Sequence, residues 1–269
     1  MWRKFLFDRV REKVDRLELD WGPLGHDRYG IEKDHLAFVL GCLLPLYRLW
    51  FRVRTVDIEK VPQTGRVMLI GNHSGGLPFD GMMLMSALFF DMDPPRLAHG
   101  MVDKMAQRWP VASPLFSRVG QFPGLPEHAI QLLENERALM VFPEGTRGLG
   151  KLYSKRYQLE RFGMGFARIA MRTGTPVLPF GVIGMEEAYP TIARLEPIAR
   201  LFGLPYLPVP AHGLPIPLPL ELEIRFGDPI QLEGSGDESD EVVSGQVDRV
   251  SAAVQQILDE GLQERGDRP

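Results

Sequence analysis

Val67-Met68-Leu69-Ile70-Gly71-Asn72-His73-Ser74-Gly75-Gly76-Leu77-Pro78-Phe79-Asp80 is the stretch from which the fold is read. Its first four residues are apolar without a break, as in a strand buried on both faces of a parallel sheet. Gly71-Asn72 is turn chemistry. Pro78 suits the first turn of a helix, and Phe79 to Phe90 continues it. The pattern recurs downstream. Pro126 to Glu136 reads as a helix, Ala138 to Phe142 as a second buried strand, and Gln158 to Arg172 as a helix ended by Thr173-Gly174. Thr175 to Val182 reads as a strand with its prolines at the ends or on an edge, and Leu220 to Phe226 as a late, alternating strand. Strands alternating with helices predict an α/β fold with a mostly parallel central sheet flanked by helices.

The core begins near Arg52, where Arg52 to Ile58 alternates like a half-buried strand and Val61-Pro62-Gln63-Thr64-Gly65 makes a turn. Upstream, Trp2, Phe5, Leu6, Val10, Val14 and Leu17 recur at helical spacing. A helix packed on its own domain and a helix lying on a membrane surface fit that pattern equally. Leu36 to Tyr47 carries no charge but is only 12 residues long and contains Pro45, against about 20 residues for a spanning helix. It suits the membrane interface. Residues 186–219 hold 8 of the 23 prolines with many Leu, Ile and Val. That segment is too apolar for a solvated linker and too proline-rich for a long helix, so it reads as a packed irregular cap or a lipid-facing surface. Gly234 to Glu241 is a polar linker before a final amphipathic helix bearing Val243, Val247, Val250, Val254 and Ile257. The expected organisation is membrane-associating helices over 1–51, a catalytic domain over 52–233 with the proline-rich insert, and a linker with C-terminal helix over 234–269.

The chain has 269 residues and is 44% hydrophobic, enough for a sizeable core. A net charge of −4 argues against nucleic acid as the main partner. Cys42 is the only cysteine, so no intrachain disulfide forms, consistent with a reducing compartment. No cleavable signal peptide is evident.

His73 follows a buried strand, at the carboxyl end where open parallel sheets bind ligands. A neutral imidazole there can take the proton of a hydroxyl, and a carboxylate on its far nitrogen would fix the tautomer. Asp80 is the nearest downstream candidate. Seven residues on a continuous helix span about 10 Å, too far for a hydrogen bond. Gly75, Gly76 and Pro78 point instead to a loop, which can fold back and put Asp80 beside His73. A hydrogen-bonded loop histidine with Asp80 at a helix start is the plainer alternative. Gly75 and Gly76 are also candidate N–H donors to an oxyanion. No second histidine lies at ligand spacing, and no metal is expected.

Val141-Phe142-Pro143-Glu144-Gly145-Thr146-Arg147 leaves the second buried strand. Arg147 suits a phosphate or carboxylate, and Glu144 is placed to orient Arg147 or an acceptor; a turn with an internal Glu–Arg pair is the plainer alternative. The run Gly145-x4-Gly150-Lys151 nearly matches a phosphate-binding loop, but Leu152 stands where a serine or threonine must hold magnesium.

The two segments, in this order and roughly seventy residues apart, resemble the glycerolipid acyltransferase family with its His-x4-Asp motif. Phe142 to Arg147 matches the family's third motif, Val177-Leu178-Pro179 is similar to its fourth, and Gly120-Gln121-Phe122 is a faint echo of its second. The resemblance covers about residues 52–230. Six residues rather than four separate His73 from Asp80. Gly203-Leu204-Pro205-Tyr206-Leu207-Pro208 and Arg225-Phe226-Gly227-Asp228-Pro229-Ile230 resemble the diacylglycerol acyltransferase and phytyl ester synthase branches. The resemblance implies transfer of an acyl group from acyl-CoA or acyl carrier protein, a co-substrate rather than a cofactor, to a lipid hydroxyl. It implies His73 as base, Asp80 as its orienting carboxylate, and Glu144, Gly145, Thr146 and Arg147 around the acceptor. A lysophospholipid such as 1-acylglycerol-3-phosphate and a neutral alcohol such as diacylglycerol both remain open as acceptors. The expected location is the cytoplasmic face of a membrane, held peripherally. A thioester or lipid hydrolase and a non-catalytic lipid-binding protein are the rival readings; no Gly-x-Ser-x-Gly elbow supports a serine esterase.

Overall fold

The computed structural model describes residues 2–102, 112–201 and 206–266. The chain opens with α1 (Trp2–Asp15) and α2 (Lys33–Pro45), packed on each other, and α2 runs on through a wider turn at Leu46–Trp50. Then come β1 (Arg54–Val56), β2 (Val67–Gly71), α3 (Phe79–Phe90), β3 (Ala98–Val102), α4 (Ala112–Arg118), β4 (Gln121–Pro123), α5 (Pro126–Glu134) and β5 (Ala138–Val141). The second half holds α6 (Thr146–Leu149), α7 (Gly165–Thr173), β6 (Val177–Ile183), α8 (Met185–Ala188), β7 (Thr191–Arg194), α9 (Glu196–Leu201), β8 (Pro208–Pro210), β9 (Glu223–Phe226) and α10 (Asp240–Arg265).

Among the described residues, seven strands form one sheet in the order β1-β9-β6-β2-β5-β3-β4. Every neighbouring pair is parallel except β6 with β9, so the fold is α/β with a mostly parallel central sheet. β2 lies at its centre with all five residues buried. At roughly 1.5–3 kcal/mol per large apolar side chain, Val67 to Ile70 contribute on the order of 6–12 kcal/mol before conformational entropy is charged. Alternation along β6 sends Gly181 toward Ile257 and Leu258 of α10 and Phe180 toward Phe142.

The N-terminal helices share the core of the rest. Val10, Val14, Leu17, Leu36 and Leu40 are buried in one cluster with the sheet, and α2 packs on α3. Pro45 ends α2 where the helix widens, because a proline supplies no N–H to the turn before it.

Three expectations need correction. Pro179 lies inside β6, between β2 and β9, rather than at a strand end or edge. Its carbonyl accepts from the Gly227 N–H at 2.8 Å, and Val177 pairs with Ile230. The pairing slips by one residue between Phe180↔Phe226 and Val177↔Ile230, and the proline occupies that slip. The helix expected over 158–172 starts only at Gly165. Residues before it wrap the end of β5, with the Gly163 N–H on the Pro143 carbonyl. Finally, the insert is partly regular, with β7 and β8 forming a separate antiparallel pair. The stretch Gly203-Leu204-Pro205 used for the resemblance lies outside the described residues.

Candidate active site

β2 and β5 end side by side, so the turns that leave them meet. The turn after β2 carries His73. Gly75 and Gly76 both take left-handed backbone angles, with φ of +84° and +68°, which glycine adopts without a Cβ penalty. They reverse the chain so that α3 starts beside the histidine. Asp80, in the first turn of α3, is completely buried and reaches back. Its Oδ2 lies 2.7 Å from His73 Nδ1 and accepts the Ser74 N–H at 2.8 Å, while Oδ1 accepts the Gly81 N–H at 2.7 Å. Asp80 thus places the proton of the neutral imidazole on Nδ1 and leaves Nε2 as the basic atom.

Phe142, the last residue before the second turn, lies beneath the imidazole. The two rings stack at 4.5 Å and 25°, and Phe180 meets the other side of Phe142 edge-on at 5.7 Å. Carboxylate at one edge and aromatic face below leave the ring little freedom. The sequence marked Phe142 only as part of a motif; its position at the end of a strand neighbouring β2 was the available signal.

Glu144 points inward. It is buried, its Oε1 accepts the His73 N–H at 2.8 Å, and its Oε2 accepts the Glu160 N–H at 2.6 Å. This corrects the expectation that Glu144 shapes the acceptor site or pairs with Arg147. Arg147 instead donates to the Arg161 carbonyl at 2.7 Å, and Gly145, Thr146 and Arg147 are exposed. Gly76 is corrected as an oxyanion donor, because its N–H is bonded to the Leu149 carbonyl at 2.9 Å. The expectation narrows to Gly75.

Lys151, the lysine of the near P-loop, also points inward. Its side chain is 2% exposed, and its Nζ lies 3.2 Å from Glu144 Oε2 and 3.6 Å from Glu186 Oε1. It is no phosphate ligand in this arrangement. Glu186 Oε2 accepts the Tyr157 N–H at 2.7 Å. Burial pushes the Glu186 carboxyl up to about 7, more than Lys151 and the Tyr157 N–H pull it down. The Tyr157 hydroxyl, raised by burial and by Glu187, donates to Glu187 and accepts the Gly184 N–H at 2.8 Å. Lys151 and Glu186 were not read from the sequence as site residues; charged side chains 78 and 113 positions beyond His73 gain meaning only from the fold.

Met185, which directly precedes the insert, and Tyr189 and Pro208 within it cover the turn after β2. A Cβ on Gly75 would lie 2.4 Å from Met185, and one on Gly76 would lie 2.8 Å from the Tyr189 ring and 3.1 Å from Pro208. Tyr206 occupies the corresponding space over Gly150, with its hydroxyl buried and unpartnered among the described residues.

A histidine oriented through Nδ1, with Nε2 as base, can activate a hydroxyl for attack on an acyl carbon. The comparisons with known proteins fit that chemistry. A family model described as Acyltransferase matches residues 52–183. An uncharacterized protein of Mycobacterium tuberculosis is 35% identical over 250 residues, covering 88% of this chain and 69% of its own length. One from Mycobacterium leprae is 37% identical over 245 residues, covering 86% and 66%. A crystal structure of the 1-acyl-sn-glycerophosphate (LPA) acyltransferase PlsC from Thermotoga maritima aligns with a TM-score of 0.52 and 17% identity, over 96% of this chain and 80% of that one. At that identity the likeness is one of fold.

Proposed function

This chain belongs to the acyltransferase family, and on that footing we propose that it moves a fatty acyl group from a thioester, acyl-CoA or acyl carrier protein, to the hydroxyl of a glycerolipid. The observation that carries the reading is the His73 Nδ1–Asp80 contact of 2.7 Å. His73 Nε2 removes the acceptor proton as the oxygen attacks the thioester carbonyl. Collapse of the tetrahedral species breaks the carbon–sulfur bond, and the imidazolium returns its proton to the leaving thiolate. Asp80 stabilises the imidazolium in between, and the Gly75 N–H is the remaining candidate for the oxyanion.

The acceptor side is a lysophospholipid if Arg147 meets a phosphate, and a neutral alcohol such as diacylglycerol if it does not. Exposed Arg147, whose guanidinium donates to the Arg161 backbone carbonyl, favours the first. Lipid substrates call for a surface that meets a bilayer. No helix among the described residues is long and apolar enough to cross one. Leu49 is 74% exposed, and Leu214 and Ile216 are each 60% exposed. Trp50 Nε1 donates to the Pro217 carbonyl at 3.0 Å, which joins the end of the α2 helical region to the insert. These residues support peripheral binding at a membrane surface.

The test is a mass-spectrometric screen of purified protein with an acyl thioester and a panel of lysophospholipids, diacylglycerols and fatty alcohols. We expect one acceptor class to gain the acyl chain, His73→Ala to abolish the gain, and Arg147→Ala to weaken phosphorylated acceptors more than neutral ones. Free fatty acid released at the same rate without any acceptor would favour a hydrolase, and turnover retained by folded His73→Ala would sink the mechanism.

A further inference from the structure

The buried acids behind His73 outnumber their base. Glu144 and Glu186 both face Lys151 Nζ, at 3.2 and 3.6 Å. Glu144 is also the acceptor for the His73 N–H and the Glu160 N–H. A carboxylate holds two N–H donors on separate oxygens most strongly while it is ionised, and burial makes ionisation costly unless a cation stands by. We propose that Lys151 is a positioning residue for His73, keeping Glu144 charged so that Glu144 can fix the backbone from which the base projects. The proposal rests on the reading of His73 as the base of acyl transfer.

The surroundings sharpen it. The Glu144 carboxylate is bounded by Lys151, by the two backbone N–H groups and, further off, by Glu186. Glu186 is bounded by Lys151, Glu187, Glu144 and the Tyr157 N–H. Lys151 is the cation that these groups hold in common, and water has almost no access to it. The backbone on the other side is equally close: a Cβ on Gly148 would come within 2.9 Å of the His73 carbonyl. His73 is therefore held by its N–H, by its ring nitrogen through Asp80, and by the ring face on Phe142. Removing the lysine loosens the first of these holds and spares the other two.

Lys151→Met leaves Glu144 and Glu186 facing each other without a cation, so one of them takes up a proton near neutral pH. Raising the pH removes that proton from the pair and restores the full strength of the two hydrogen bonds to Glu144. The experiment measures kcat and KM for a thioester and its acceptor from pH 6 to pH 9, in wild type, His73→Ala and Lys151→Met. We expect Lys151→Met to lower kcat about 10- to 100-fold at pH 7, as a small misplacement of a reacting group does. KM should stay within about three-fold, and the deficit should shrink to less than about ten-fold at pH 9. A kcat near the wild-type value at pH 7, or a deficit equal at every pH, overturns the proposal. If Lys151→Met does not fold, the same criteria apply to Lys151→Met combined with Glu186→Gln, which leaves one buried acid instead of two. Failure of both to fold at pH 9, by near-ultraviolet circular dichroism, makes the role purely structural and also overturns it. Absence of turnover in wild type, or its persistence in His73→Ala, defeats the acyl-transfer reading and this proposal with it. Turnover that needs His73 leaves the Lys151 arm to decide by itself.

Discussion

Asn72 and Val182 exchange two hydrogen bonds through a side chain. The Val182 N–H donates to Asn72 Oδ1 at 2.7 Å, and Asn72 Nδ2 donates to the Val182 carbonyl at 3.0 Å. The amide carries the pairing of β2 with β6 beyond Gly71↔Phe180 and fixes the direction in which the chain leaves toward His73. Asn72→Ala leaves two buried backbone groups without partners, at a cost of about 2–4 kcal/mol. The urea midpoint should fall with an unchanged slope. Asn72→Asp should cost more, since it turns a carboxylate oxygen toward a carbonyl. An unchanged midpoint in Asn72→Ala would show that water replaces the amide.

Asp80 satisfies three donors with two oxygens. Asparagine has one acceptor oxygen, so Asp80→Asn sets an NH2 group against at least one N–H. We expect kcat to fall about 10²- to 10⁴-fold with the fold kept. Asp80→Glu should not rescue it, because a fully buried slot has no room for another methylene. Wild-type turnover by Asp80→Asn would assign the orienting role to another group.

Gly75 combines a φ of +84° with a Cβ position 2.4 Å from Met185. Gly75→Ala should destabilise by roughly 2–4 kcal/mol, from left-handed strain plus overlap, and should lower turnover. Gly165, at the start of α7, has nothing within 4 Å of its Cβ position. Gly165→Ala should be neutral or up to about 1 kcal/mol stabilising. Thermal melts of the two variants check the contrast; equal shifts would mean that the loop is not constrained by Met185.

Two buried groups pull stability in opposite directions with pH. The Glu186 carboxyl is raised from 4.5 to about 7, chiefly by burial. Its contribution is fully present below pH 4.5 and is lost as pH rises through 7. The His99 imidazole is lowered from 6.5 to about 4, chiefly by burial and against its bond to the Gly120 carbonyl. Its contribution is present above pH 6.5 and is lost as pH falls through 4. Each amounts to about 3 kcal/mol, so from pH 4.5 to 6.5 the two nearly cancel. Glu186→Gln should unmask His99: unfolding free energy should fall steeply as pH drops below 6.5, and above pH 7 the variant should exceed wild type. Urea titrations at pH 4.5, 5.5, 6.5 and 8 read this, and parallel curves for the two proteins would refute it.

The parts of the fold legible in the sequence were those where local pattern and tertiary demand agree. β2 and β5 are continuous apolar runs because both faces are covered, and α3 follows Pro78 over the span its composition indicated. The His73–Asp80 pairing was legible because glycines and a proline excluded a continuous helix. What escaped depends on neighbours. β3, with the sequence Ala98-His99-Gly100-Met101-Val102, is a strand because β5 and β4 offer it edges on both sides. Residues 158–164 have helical composition, but they are held out of a helix by bonds to Glu144 and Pro143. The inward turn of Glu144 and Lys151 was hidden for the same reason: a charged pair reads as surface until a burial site supplies its partners.

Met185, Tyr189 and Pro208 occupy the space that side chains at positions 75 and 76 would need, and Tyr206 does the same at position 150. The longer spacing between histidine and aspartate and the proline-rich insert are therefore a single trait. A change in either alters what the other packs against. A chimera that shortens the loop to the family's common length removes the floor on which Tyr189 rests, and one that deletes the insert strips the cover from Gly76 and leaves Gly75 against Met185 alone. Relatives that carry one feature should carry the other, and exchange of activity between branches must move both together.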